Sequence, residues 1–104
     1  MIEIISTEPT LLEKIRQISE HYSPEQQIEK AKEELRELLA ELEAAEIING
    51  KLVLPDNAWG EAADVMIMTI QLAMQHNKED KVRKQMEYKV NRQLRRMSEE
   101  GEVE

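Results

Sequence analysis

Apolar residues recur at helical spacing in four blocks of this chain, separated by turn-forming residues. Leu11, Leu12, Ile15 and Ile18 predict a first helix over 9–21, with Pro9 tolerated in its first turn. Ser23, Pro24, Glu25 and Gln26 then read as N-cap, N1, N2 and N3 of a capping box. A second helix is expected over 24–45, its apolar side made of Ile28, Ala31, Leu35, Leu38, Leu39 and Leu42. The period breaks over 46–56, where Asn49-Gly50 is a turn signal and Lys51 to Leu54 forms a short extended piece stopped by Pro55. Asp56 or Asn57 caps a third helix over 57–76, and Asn77 marks its end. A fourth, over 78–98, carries Val82, Met86, Val90, Leu94 and Met97 on one face. Met1 to Ser6 fits either an extended arm or an extension of the first helix, and 99–104 reads as a polar, frayed tail.

The third helix is the most apolar stretch, NAWGEAADVMIMTIQL, yet Glu61 and Asp64 stand where that apolar run begins. Three helical residues turn through roughly 300°, so both carboxylates leave one face about a turn apart. Val65, Met66, Ile67, Met68, Ile70 and Leu72 fill most of the remainder, which predicts a helix buried nearly all round. Acids so placed need a hydrogen-bond donor or a cation. The macrodipole at a helix N-terminus is the alternative explanation, and it would satisfy Glu61. Glu34 and Glu37 repeat the spacing on the second helix, with Glu33 beside them. That stripe alone reads more simply as a solvated face. Packed antiparallel, the two helices can bring Glu34, Glu37, Glu61 and Asp64 together as oxygen donors for a hard divalent cation, magnesium above all. Gly60, in the first turn, is unfavourable unless close packing or an approaching ligand uses its missing side chain.

At 104 residues the chain reads as a single all-α domain, 1–104, with a core of Leu, Ile, Met and Ala and no Phe. Such a core gains from oligomerisation, and the apolar third helix is expected at the centre of a subunit interface. The net charge of −8 speaks against polymeric nucleic acid and anionic membranes as partners. The absence of Cys removes disulfides, thiolate zinc sites and a cysteine nucleophile. Nothing resembles a signal peptide and no apolar run is long enough to span a bilayer, so a cytoplasmic location is expected. His21 and His76 lack the Glu-x-x-His spacing of a di-iron bundle.

The ordered pair Glu33-Glu34-Leu35-Arg36-Glu37 and Glu61-Ala62-Ala63-Asp64, with the flanks QIEKAKEELREL, EAADVMIMTIQL and YKVNRQLRRM, resembles the MazG-like, all-α nucleoside triphosphate pyrophosphohydrolase superfamily over about 22–97. The resemblance implies a four-helix-bundle-like protomer in a homo-oligomer, a dimer or a dimer of dimers. It implies magnesium, or manganese, bound through Glu34, Glu37, Glu61 and Asp64, with Glu33 an additional ligand or water-orienting group. The implied reaction is hydrolysis of a nucleoside triphosphate between the α and β phosphates, giving monophosphate and pyrophosphate. Glu33, Glu34 and Lys30 are then the candidates for catalysis, and Lys30, Lys89 and Arg92 those for binding phosphate. Ordinary surface pairing is the alternative for these cations. Tyr22, Trp59, Tyr88 and Asn91 are the candidates for contacting a base. Arg36 stands where relatives often carry Gly and faces either the site or a neighbouring subunit. A reading of another class is a non-catalytic helical interaction module, whose acids serve solubility.

Overall fold

In a computed structural model of the chain, which describes residues 10–103, the elements follow as α1 (Leu11–His21), α2 (Pro24–Glu43), β1 (Glu46–Ile48), β2 (Lys51–Val53), α3 (Ala58–Gln75) and α4 (Glu79–Val103). Met1 to Ser6, Pro9 and Glu104 lie outside the described residues, and α1 begins at Leu11 rather than two residues earlier, because Thr10 is its extended N-cap. Local chemistry sets most boundaries. Thr10 Oγ1 accepts from the Glu13 N–H at 3.1 Å and starts α1. The capping box of α2 forms in both directions, Ser23 Oγ accepting from the Gln26 N–H at 3.1 Å and Gln26 Oε1 from the Ser23 N–H at 2.9 Å. Asn49 and Gly50 adopt φ of 54° and 77°, the left-handed pair of a two-residue hairpin turn, so β1 and β2 pair antiparallel with Ile47 opposite Leu52. Asn57 occupies the N-cap of α3 without capping it; its Nδ2 instead donates to Glu41 Oε1 at 2.9 Å. Asn77, with φ of 55°, turns the chain out of α3.

α3 is the central element, packed most extensively on α2, then α1, and least on α4. Ile15, Ala31, Ala58, Met68 and Met74 form the apolar core, and the polar side chains of Ser19, Gln27, Glu34 and Gln71 are buried with them. Gln75 Nε2 donates to the carbonyls of Ser19 at 3.3 Å and Tyr22 at 2.6 Å, which pins the α1–α2 junction against α3. An Arg16–Glu79 ion pair ties α1 to the start of α4.

The all-α expectation holds apart from the small hairpin, but the packing differs from a closed bundle of four. α4 leaves the body of the molecule, which measures 51 × 31 × 30 Å, and Met86, Val90, Leu94 and Met97 on its apolar face are exposed. Residues 99–103, expected to fray, continue this helix. On α2 the inward face runs Gln27, Ala31, Glu34, Leu38, Glu41, while Ile28, Leu35, Leu39 and Leu42 point to solvent. The apolar residues of α2 span more arc than one neighbouring helix can cover. α3 is also less enclosed than expected: Met68 is buried, Val65, Ile67, Ile70 and Leu72 are half-buried, and Met66 is exposed. No helix among the described residues is long and apolar enough to cross a membrane.

Candidate metal centre

The α2–α3 seam is held at both ends by amide hydrogen bonds. Gln71 Nε2 donates to Gln27 Oε1 at 3.0 Å near one end, and the Asn57–Glu41 bond closes the other. The antiparallel register that pairs these residues also sets Glu34 opposite Asp64 and Glu37 opposite Glu61. Carboxylate oxygens of Glu34, Glu61 and Asp64 lie within 4.8 Å of one another. Glu37 is outside that three-way group, but its carboxyl neighbours that of Glu61. The Glu37 carboxyl is held above the usual range, first by its approach to the Glu61 carboxyl, then by desolvation and by the nearby charge of Glu34.

Burial grades across the cluster. Glu34 is 5% exposed, Glu61 is half-buried in the first turn of α3, and Asp64 faces solvent. Lys30, one turn before Glu34, places Nζ 3.0 Å from Glu34 Oε1 and 3.7 Å from Glu33 Oε1. The bond to Glu34 leads the causes that raise the Lys30 pKa, followed by the charge of Glu33, so this side chain stays protonated. Lys30 satisfies only one oxygen: Glu34 Oε2 and Glu61 Oε2 are both shut off from solvent and have no hydrogen-bond partner. Orphaned buried carboxylate oxygens are costly, and a macrodipole supplies no partner for an oxygen on α2. An all-oxygen donor set, partly buried and open on the Asp64 side, fits a hard divalent cation.

The remaining candidates separate into two groups. Tyr22 lines a cavity between α1, α2 and α3 that Lys30 also borders, and Glu33 is exposed beside Lys30. Lys89, Arg92, Tyr88 and Asn91 lie on α4, and among the described residues neither Lys89 nor Arg92 makes an ion pair with the cluster. Arg92 instead sets its guanidinium 5.6 Å from the centre of the Tyr88 ring. Trp59 is 65% exposed, and Arg36 is exposed without an ion pair among the described residues. A Cβ at Gly60 would meet nothing within 4 Å, so close packing does not require this glycine.

Gln27, Gln71 and Gln75 are the polar residues that the hydrophobic pattern passed over. The signal for Gln71 is its place inside the most apolar stretch of the chain, and for Gln27 its position seven residues before Glu34 on the same helical face. No protein-family model, curated protein or solved structure matches the chain.

Proposed function

We propose that the protein is a magnesium-dependent nucleoside triphosphate pyrophosphohydrolase, cleaving between the α and β phosphates. The observation that carries this reading is the pair of unpartnered buried oxygens on Glu34 and Glu61, with Asp64 within 4.8 Å of both side chains. Glu34, Glu61, Asp64 and, through Glu61, Glu37 are the residues that would hold the ion. A bound divalent ion supplies a Lewis acid, screens phosphate charge and lowers the pKa of water. Lys30 anchors Glu34 through Oε1 and leaves Oε2 free for coordination, while its remaining N–H groups are available to phosphate oxygens. Glu33, on the solvent side of Lys30, is the residue in reach to orient water.

The same reading includes assembly as a homo-oligomer, a dimer or a dimer of dimers. Its support is the apolar surface on α2 (Ile28, Leu35, Leu39, Leu42) and α4 (Met86, Val90, Leu94, Met97), so we assign the interface to these faces rather than to the middle of α3. Those faces also favour a non-catalytic interaction module. Pyrophosphate release from a panel of canonical and modified nucleotides, with and without magnesium, decides between the two. Magnesium-dependent release supports the enzyme; no release from any nucleotide across pH, with no magnesium binding by calorimetry, leaves the module.

A further inference from the structure

Beside the acid cluster, at the Gln27 end of the α2–α3 seam, is a cavity of about 380 Å³. Its volume lies within the range of small-molecule sites, roughly 300–1,000 Å³. Ile18 and Met68 give it apolar walls, Tyr22, Gln26 and Lys30 border it, and Gln27 and Gln71 complete the lining. Gln27 is 1% exposed and Gln71 4%, so both amides are out of water. Gln71 Nε2 donates to Gln27 Oε1 at 3.0 Å, which orients the Gln27 amide and leaves its Nε2 buried without an acceptor. A buried donor left unpaired is unfavourable until an acceptor arrives.

The placement of this donor is as informative as its chemistry. Gln27 precedes Glu34 by seven residues on α2, and Gln71 follows Asp64 by seven on α3. Two helical turns rise about 10 Å, so amide pair and carboxylate cluster occupy one seam at that spacing. Lys30 stands between them, bonded to Glu34 and bordering the cavity. A ligand with an anionic group at the cluster and a ring in the cavity therefore passes this cation.

We propose that the cavity reads the base of the nucleotide: it takes a planar ring bearing a carbonyl, a pyrimidinone or an oxopurine, to which Gln27 Nε2 donates. Gln71 is a positioning residue that holds the Gln27 amide in this orientation, and Tyr22, 47% exposed at the border, lies against the ring face. Adenine has no ring carbonyl and offers only ring nitrogens as acceptors, so a donor placed for a carbonyl oxygen is met less well. Sites built to bond a specific polar group discriminate strongly against rings that lack it. This assignment rests on the acid cluster being the phosphate end of the same site, and phosphate-free ligands separate the two ideas.

The test titrates the ¹⁵N-labelled, metal-free full chain with uridine, cytidine, inosine and adenosine, following the glutamine side-chain amide signals. Expected are shifts of the Gln27 and Gln71 amides, with the three carbonyl-bearing nucleosides bound at least tenfold more tightly than adenosine. Gln27→Met should bring uridine down to the level of adenosine. Should that variant not fold, Tyr22→Ala, at a partly exposed side chain, should weaken uridine binding by several-fold. Equal binding of all four nucleosides, tighter binding of adenosine, or no binding overturns the proposal. Magnesium-dependent pyrophosphate release indifferent to the base would do so while leaving the hydrolase reading standing. Selective nucleoside binding without any pyrophosphate release would uphold the cavity and remove the hydrolase.

Discussion

Replacing Glu34 by Gln is the sharpest perturbation of the cluster. Its side chain is 7% exposed and its carboxylate lies within 4.8 Å of those of Glu61 and Asp64. At that distance and an effective dielectric near 20, each like-charge pair costs about 3.5 kcal/mol before screening. The opposing attraction comes from Lys30, whose side chain is 54% exposed and can be hydrated when its partner is lost. A Gln at 34 also turns an acceptor into a donor facing the remaining acids. Glu34→Gln should therefore leave the metal-free protein as stable as the parent or more stable. Magnesium should do the reverse: at a hundred times Kd it adds about 2.7 kcal/mol to the parent. For a domain of this size that raises the parent Tm by roughly 10 to 20 °C, and the variant should keep only a small part of the shift. Thermal unfolding over a magnesium titration, beside a pyrophosphate assay in which the variant is inactive, measures both signs. A parent Tm unmoved by magnesium, with Glu34→Gln melting lower in EDTA, would refute the metal-site reasoning in favour of an acid that only serves Lys30.

Three further expectations follow from other parts of the molecule. Gly60→Ala should raise Tm by roughly 2 to 8 °C, since Ala is favoured by about 0.5–1 kcal/mol in a helix and a Cβ there meets nothing; lost activity in a stabilised variant would instead reveal a ligand approaching that backbone. The Glu37 carboxyl binds its proton more tightly in the folded than in the unfolded state, chiefly because of Glu61, so its contribution is greatest below the ordinary glutamate range and lost as pH climbs through the raised value. In EDTA the parent should thus fall behind Glu37→Gln in Tm as pH rises, and a gap independent of pH would count against the pairing. Sedimentation at micromolar concentration should show a dimer or tetramer that Leu39→Glu or Leu94→Glu dissociates into folded protomers; a monomeric parent would remove the assigned interface.

Where a few adjacent residues decide the outcome, the chain could be read directly. The Ser23 capping box, the Asn49-Gly50 turn and the Asn77 stop all form as read, because each depends on φ/ψ preferences and hydrogen bonds within four residues. The spacing of Glu34 with Glu37, and of Glu61 with Asp64, likewise set each pair on one helical face. Convergence of the pairs depended on register, which is fixed by contacts distant in sequence: Gln27 with Gln71 and Glu41 with Asn57. Hydrophobic periodicity reports that a residue is suited to burial, and it does not say against what. Leu35 and Leu39 are therefore exposed in the single chain while Glu34 is buried, and Met86, Val90, Leu94 and Met97 on the apolar face of α4 are exposed as well. The tertiary packing decided which arc of α2 turned inward. With that it determined which carboxylate oxygens lost both water and partner, and that Lys30, rather than the basic residues of α4, pairs with the acids.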